Sequence, residues 1–297
     1  MLSKSPFWRD QLDFLACPQC RGTLGLLEDQ LRCSMCQTCW PIVDGIPDFL
    51  ETQMPEATFY DEKYWLALFG SDLCPDDHFY LEVVNDWLDK LRINPRTRYL
   101  DVSCGQGHTL YIARQRGAQG YGIDFSLAAL QAGKEKFGLQ ELIRQDAASL
   151  PFRSGIFDSI SCLGALEHYQ KPELALLEMQ RVSQPSGLFL FVVPNAHHIF
   201  GSLLNLVDPQ TIITDFGFEE WGAFFAKNGF RVIGQWPDNH TYHRPLAPFK
   251  LRRLVRKSLG PLVNCAGMKR AWQFCFLCEK ALVPATPSAS TSRHVPV

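Results

Sequence analysis

The chain has 297 residues, of which 46% are hydrophobic and 20% are charged, so most of it is expected to fold around a substantial core. The formal net charge of −2 argues against nucleic-acid binding over the whole surface, although it is compatible with a local basic patch. The sequence shows no signal peptide, and no apolar run approaches the roughly 18 residues of a membrane span. The eleven cysteines therefore favour metal binding and buried thiols over disulfides, and a cytoplasmic protein is expected.

Composition predicts three parts. Residues 1–52 hold five cysteines and are expected to form a small metal-binding domain. Residues 56–282 alternate β-rich runs with helical patterns and are expected to form the larger domain. Residues 283–297 are rich in Pro, Ser and Thr, which predicts a disordered tail.

The first part contains two C-x2-C pairs, Cys17 with Cys20 and Cys33 with Cys36. Two such knuckles facing each other place four thiolates on a tetrahedron, which suits a structural Zn²⁺ with no open coordination position. Cys39 also has C-x2-C spacing from Cys36, so the fourth ligand is ambiguous, and spacing favours Cys36. A disulfide is the weaker alternative in this compartment.

Residues 14–50, FLACPQC to IPDFL, resemble the small zinc-ribbon proteins that activate tRNA and protein methyltransferases. Trp40 stands where those proteins commonly have Tyr. The resemblance implies a zinc ribbon joined to the larger domain, with a structural or docking role rather than a catalytic one.

The larger domain is predicted to alternate helices and strands. The expected order is helix 79–91, strand 98–102, helix 108–116, strand 120–123, helix 127–137 capped by Ser126, strands 142–144 and 159–163, helix 172–182, strand 188–193, helix 219–228, and strands 231–235 and 273–279. This alternation predicts an α/β fold, a doubly wound and mostly parallel seven-stranded sheet with helices on both faces. The last two strands lack a short helical crossover, so one is expected to run antiparallel at an edge.

A glycine-containing turn follows the first of these strands, within YLDVSCGQG at 99–107. Doubly wound sheets bind ligands where the chain leaves a strand for a helix. Gly105 and Gly107 allow close backbone approach, and the following helix offers N–H groups to a carboxylate. A purely structural turn has the same appearance. The turn lacks the third glycine of the dinucleotide-binding fingerprint, which makes a Rossmann dehydrogenase the weaker interpretation.

Polar residues also end the next three predicted strands. Asp124 can accept hydrogen bonds from two ribose hydroxyls, although an acid there also caps helices. Asp146 can accept a hydrogen bond from an adenine amino group. Glu167 and His168 follow the fourth strand. Polar residues at four successive strand ends predict one nucleoside-type site.

These motifs resemble the class I S-adenosylmethionine-dependent methyltransferases, in the small-molecule branch that contains the ubiquinone-biosynthesis enzymes. The resemblance covers residues 59–282 and includes RVSQPSGLFLFVVPN. It implies S-adenosyl-L-methionine as the cofactor, held at the methionine end by Asp101, Gly105 and Gly107, at the ribose by Asp124, at the adenine by Asp146 and Ala147, and also by Ser103, Phe125 and Leu163. It further places Tyr60 and Tyr64 on a mobile lid. Ser103 replaces the usual first glycine, which predicts a weakened, retuned or degenerate site.

Methyl transfer is an in-line displacement, so the protein positions the acceptor and, for a hydroxyl or amine, removes a proton. The candidate bases at the fourth and fifth strand ends are Glu167, His168, His197 and His198. His168 is the first choice because histidine titrates near neutral pH, with Glu167 beside it. An architectural role for this pair is the alternative. Cys162, in the middle of a strand, is expected to be a buried, inert thiol.

Residues 250–257, KLRRLVRK, carry five positive charges among apolar residues at helical spacing. A basic amphipathic helix can contact anionic lipid, phosphate or RNA. A solvated helix face packed on the sheet produces the same pattern.

The leading prediction is an enzyme that transfers a methyl group from S-adenosylmethionine to a small-molecule, lipid or glycan acceptor. The first alternative is an RNA methyltransferase that uses the zinc ribbon for docking and residues 250–257 for phosphates. The second is a non-catalytic, zinc-stabilised interaction protein with a degenerate cofactor site.

Overall fold

The computed structural model describes residues 6–50, 78–197, 214–238, 271 and 273–281. Several predictions fall outside them: the lid residues Tyr60 and Tyr64, the candidate base His198, the basic segment 250–257 and the tail 283–297. Among the described residues, no helix combines the length and the apolar character that a bilayer crossing requires.

A short helix, α1 (Pro6–Arg9), precedes a small four-stranded sheet. Its strands are β1 (Leu24–Leu27), β2 (Gln30–Cys33), β3 (Cys39–Val43) and β4 (Ile46–Pro47), paired in that order and antiparallel throughout. Leu31 pairs with Trp40, and Leu24 lies on the same face two positions along. All three side chains are buried, as the two-residue period of a strand predicts for a sheet with one covered face.

The large domain begins with helix α2 (His78–Lys90). Its strands are β5 (Arg98–Val102), β6 (Gln119–Asp124), β7 (Leu142–Arg144), β8 (Phe157–Leu163), β9 (Ser183–Pro194), β10 (Phe230–Asp238) and β11 (Gln273–Lys280). The helices between them are α3 (His108–Gln115), α4 (Leu127–Phe137), α5 (Pro172–Val182) and α6 (Phe218–Lys227). The strand order is β10-β11-β9-β8-β5-β6-β7, which confirms the predicted seven-stranded doubly wound sheet.

One topological prediction is wrong. The antiparallel strand is β11, but it lies between β9 and β10 rather than at an edge. Its side chains are buried on both faces, with Cys275 and Cys278 in separate core clusters, and its backbone pairs with a neighbour at each edge. The edge position belongs to β10, which carries the half-exposed Ile233 and contains Pro237.

β9 begins at Ser183 rather than at the predicted residue 188. Phe157 pairs with Ser183, whereas Ser159 pairs with Leu188, so the intervening residues of β9 bulge out of the ladder. Pro185, which has no N–H to donate, lies in this bulge. The strand therefore tolerates this proline and begins five residues earlier than predicted.

The small sheet packs beside β7, at the edge of the large sheet. Asp48 pairs with Arg144 in a parallel bridge, and the Phe49 N–H donates to the Arg144 carbonyl at 2.9 Å. The Arg144 guanidinium also contacts the Asp48 carboxylate at 2.9 Å. This contact extends the sheet and covers an edge that would otherwise expose unpaired backbone groups.

The two parts of the chain share one hydrophobic core. The buried residues contributed by the amino-terminal part are Trp8, Leu15, Cys17, Leu24, Leu31, Cys33, Trp40 and Phe49. They pack with large-domain residues that include Tyr121, Phe152 and Phe157. Tyr121 and Phe152 stand edge to face at 5.8 Å, beneath the Leu15–Phe152 bridge. The small domain is therefore integrated with the large one rather than tethered beside it.

Candidate cofactor and metal sites

The four predicted metal ligands form one cluster. The sulfur atoms of Cys17, Cys20, Cys33 and Cys36 all lie within 4.8 Å of one another. The Cys17–Cys36 distance is 3.7 Å and the Cys20–Cys33 distance is 3.4 Å. Four sulfurs around Zn²⁺, with bonds of about 2.3 Å, stand about 3.8 Å apart on a tetrahedron. The donor set therefore fits zinc, and the exposed Cys39 lies outside the group.

The two knuckles contain the same kind of backbone turn. Arg21 and Gln37, which directly follow the second cysteine of each pair, both have φ of 63°. Gly22 is required by packing, since a Cβ there would stand 2.9 Å from the Cys33 sulfur. Gly22 was not among the predicted site residues, although its place just after a C-x2-C pair marks the end of a knuckle.

The thiols of the cluster lie in different environments. Burial raises the pKa of Cys17 to about 12. Hydrogen bonding with the Thr38 side chain and backbone lowers the pKa of the exposed Cys36 to about 6. A bound cation draws thiol protons off, because the thiolate is the ligand.

The carboxyl ends of β8, β5, β6 and β7 lie at one edge of the large sheet, because these strands are parallel. The chain runs from β5 to β6 and β7 on one side, then returns to β8 on the other. In doubly wound sheets, such a reversal leaves a crevice beyond the ends of the two strands at which it occurs, here β5 and β8, and ligands bind there. The predicted site residues thus follow neighbouring strands.

The loop between β5 and α3 has a left-handed backbone at three positions. The φ angles are 59° at Ser103, 55° at Gly105 and 74° at Gly107. Glycine adopts this conformation without cost, whereas a residue with a Cβ pays about 1–2 kcal/mol. At Gly107 a Cβ would also stand 2.6 Å from Leu139 Cδ1. Ser103 therefore keeps the conformation that the usual glycine favours, at an energetic cost.

Gly133, in the middle of α4, was missed by the sequence analysis. A Cβ at this position would lie 2.2 Å from the carbonyl oxygen of Gln106, so only glycine lets α4 pack against the loop. The signal was present as a glycine inside a helical pattern, which indicates a close packing contact.

Asp124 connects the loop to the end of β6. Its Oδ2 accepts a hydrogen bond from the Gly105 N–H at 2.8 Å, and its Oδ1 accepts one from the Ser126 N–H at 2.9 Å. The side-chain cap of α4 is Ser126, whose Oγ accepts from the Ala129 N–H at 3.2 Å. A carboxylate has about four acceptor positions, and these two bonds use one on each oxygen.

Asp101 is buried beneath the loop and belongs to a chain of hydroxyl groups. The Ser161 hydroxyl donates to Asp101 Oδ1 at 2.6 Å, and the Tyr99 hydroxyl lies 2.5 Å from the Ser161 oxygen. Burial raises the pKa of Asp101 to about 7, and the nearby charge of Asp124 also raises it, against the Ser161 hydrogen bond. A positively charged ligand group would favour the ionised carboxylate.

The predicted adenine end follows β7. Asp146 is half-buried, and its Oδ1 accepts a hydrogen bond from the Ala148 N–H at 2.9 Å. Ala147 is buried. Phe125 and Leu163, at the ends of β6 and β8, are half-buried.

Glu167 and His168 form a short 3-10 turn just after β8. The Glu167 carboxylate lies 3.6 Å from His168 Nε2, and the two side chains are 4% and 10% exposed. His197, the other described candidate base, is 68% exposed and faces Glu220 at 3.7 Å. Both histidines face a carboxylate, so burial is what distinguishes His168 from His197. Cys162 is buried, as expected, and burial raises its pKa to about 12.

Comparison with protein families accounts for both parts of the chain. Residues 100–191 match the family model described as a methyltransferase domain, and residues 9–45 match that of Trm112p-like proteins. The small amino-terminal part is thus similar to one family, and the large domain is similar to the other.

Curated relatives match the methyltransferase part. The demethylmenaquinone methyltransferase of Renibacterium salmoninarum is 34% identical over 114 residues, which are 38% of this chain and 48% of that protein. The enzyme of the same name from Staphylococcus aureus strain JH9 is 39% identical over 98 residues, which are 31% and 41%. The chain thus spans about half or less of the length of these relatives.

Solved structures share the fold. The complex of the Haloferax volcanii Trm112 methyltransferase activator and a putative methyltransferase contains a chain with a TM-score of 0.52 and 15% identity, over 76% of this chain and 93% of that one. Geranyl diphosphate C-methyltransferase from Streptomyces coelicolor A3(2) has a TM-score of 0.52 and 13% identity, over 68% and 79%.

Proposed function

We propose that the chain transfers a methyl group from S-adenosylmethionine to a small-molecule or lipid acceptor. The main support lies at the carboxyl ends of β8, β5, β6 and β7. There the Gly105 N–H of the loop donates a hydrogen bond to the Asp124 carboxylate. The methyltransferase-domain match over residues 100–191 supports the same reaction.

The chain's own residues provide complementary contacts for this cofactor. Asp124 would accept hydrogen bonds from the ribose hydroxyls, and Asp146 would accept one from the adenine amino group. The buried carboxylate of Asp101 would face the positive charges of the methionine end. The amino end of α3 would receive the methionine carboxylate. When bound, S-adenosylmethionine supplies a methyl group that its sulfonium has already activated.

The acceptor side is proposed to lie at the end of β8. His168 would take a proton from a hydroxyl or amine acceptor, and Glu167, 3.6 Å away, would stabilise the imidazolium that forms. An acceptor whose carbon atom attacks the methyl group also loses a proton, so the same pair would serve. The demethylmenaquinone methyltransferase relatives support a small-molecule acceptor for this chain.

The Trm112p-like domain is proposed to bind one structural Zn²⁺ and to support the adenine end of the site. The segment 145–156, which carries Asp146, is held by ribbon backbone. The Ala16 N–H donates to the Pro151 carbonyl at 3.0 Å, and the Ser149 hydroxyl donates to the Pro18 carbonyl at 3.1 Å. Pro18 lies inside the first knuckle, so a folded knuckle and an ordered adenine end are expected together.

Label transfer in an extract tests the proposed function. The protein is incubated with methyl-labelled S-adenosylmethionine, and label is followed separately in small molecules, lipids, glycans and RNA. His168→Ala serves as the reference for background. Enzyme-dependent label in the small-molecule or lipid fraction is expected. Label in RNA with a steep salt dependence would replace the proposal with the RNA alternative. Absence of label and of calorimetric cofactor binding would leave the non-catalytic alternative.

A further inference from the structure

One hydrogen bond crosses the crevice between β5 and β8. The Ser103 hydroxyl and the Tyr169 hydroxyl lie 2.6 Å apart, although the two residues are 66 positions apart in the chain. Ser103 directly follows β5, and Tyr169 directly follows the 3-10 turn Leu166–His168. Because Val102 of β5 pairs with Cys162 of β8, the loop after β5 lies next to the residues that follow β8.

The Tyr169 hydroxyl is held in place on more than one side. Besides Ser103 it contacts the Cys162 sulfur at 3.5 Å. Burial raises the pKa of Tyr169 well above its ordinary value, and the neighbouring thiol and Asp124 raise it further. The phenol therefore stays neutral at physiological pH, and its hydrogen bond with Ser103 does not depend on titration.

This contact offsets the unfavourable backbone of Ser103. A left-handed φ of 59° disfavours every residue that has a Cβ. The hydroxyl that accompanies the Cβ forms a hydrogen bond that glycine could not make. Serine in place of glycine therefore adds a restraint on the loop. The restraint comes from Tyr169, which follows the turn that carries Glu167 and His168.

We propose that Tyr169 is a positioning residue, which holds Ser103 and thereby fixes the loop 103–107 in the conformation that receives the methionine end of the cofactor. This inference rests on the proposed function, since it concerns the same site. It also replaces the interpretation of Ser103 as a sign of degeneration: the serine and the tyrosine act as a pair.

Four variants test the pair by calorimetric titration with S-adenosylmethionine and with S-adenosylhomocysteine. Ser103→Ala keeps the Cβ but loses the hydroxyl, and Tyr169→Phe loses only the hydroxyl. Each is expected to weaken binding about fivefold, the effect of one neutral hydrogen bond. The double variant should bind no more weakly than either single variant, because both remove the same contact. Ser103→Gly should bind more tightly than Ser103→Ala, because it relieves the backbone strain.

Tyr121→Phe is the matched control, because it removes another mostly buried tyrosine hydroxyl, one that contacts Gln11 in the ribbon interface. It should lower thermal stability without changing cofactor affinity. If the wild type binds the cofactor and Ser103→Ala, Tyr169→Phe and the double variant bind it equally well, the inference is overturned and the proposed function stays intact. Additive losses in the double variant would overturn the pairing. A wild-type protein that binds neither ligand would overturn the proposed function, and with it this inference.

Discussion

Asp124 has two roles that a substitution can separate. Its carboxylate holds the loop through Gly105, and it is proposed to bind the ribose. Asp124→Asn keeps the shape but loses the charge that strengthens both kinds of hydrogen bond. Cofactor affinity should fall by about 1.5–3 kcal/mol for each charge-assisted bond lost, measured by calorimetry.

Asp158, at the opposite end of the sheet, provides a matched control for Asp124. Asp158, near the start of β8, accepts a hydrogen bond from the Arg98 N–H at 2.8 Å, far from the strand ends that form the site. Asp158→Asn should leave cofactor affinity unchanged. Equal affinities in the Asp124 variant and the wild type would show that the ribose is bound elsewhere.

Asp101 makes a pH-dependent contribution to the free energy of unfolding. Its folded pKa of about 7 lies above the unfolded value, so between about pH 4 and 7 the folded state binds the extra proton. Its contribution to the free energy of unfolding therefore falls as pH rises through this window, by at most about 1.4 kcal/mol per pH unit.

Cofactor binding should show the opposite pH trend. A cationic ligand favours the ionised Asp101, so affinity should weaken as pH falls below 7 and binding should release a proton there. Calorimetry in two buffers with different ionisation enthalpies measures this release. Asp101→Asn should abolish it, and release that persists in the variant would assign the proton to another group.

At the scale of elements, two helical glycines have different functions. Gly133 lets α4 approach the Gln106 carbonyl, whereas no described atom lies within 4 Å of a Cβ built at Gly222 in α6. Gly133→Ala should displace α4 or the loop and weaken cofactor binding at least tenfold, because the clash involves backbone. Gly222→Ala should stabilise the protein by up to about 1 kcal/mol through helix propensity. Thermal melting and calorimetry of both variants check the contrast, which equal behaviour would refute.

At the scale of the whole molecule, metal and cofactor should be linked. Purified protein is expected to contain about one zinc per chain by elemental analysis, as four closed ligands imply. Chelation should lower both thermal stability and cofactor affinity, because the first knuckle contacts the segment that carries Asp146. Cys36→Ser should lose zinc and Cys39→Ser should retain it. Metal-free protein with unchanged melting and binding would contradict this linkage.

Local patterns were sufficient for many features of this chain. The spacing of the cysteines predicted the cluster of Cys17, Cys20, Cys33 and Cys36, since two short knuckles bring four thiols together. Alternating strands and helices predicted the doubly wound sheet, and parallel strands then bring their carboxyl ends to one edge. These features depend on residues close in sequence and on general rules of chain topology.

Other features depend on contacts between distant segments, which no local pattern encodes. The Ser103–Tyr169 hydrogen bond, the place of Gly133 against Gln106 and the internal position of β11 all belong to this class. The same is true of the ribbon at the β7 edge, where Asp48 meets Arg144. The sequence by itself determined which elements form and which residue types meet at the strand ends. Only the tertiary structure decided how the loop is held, because that depends on the packing of side chains far apart in the chain.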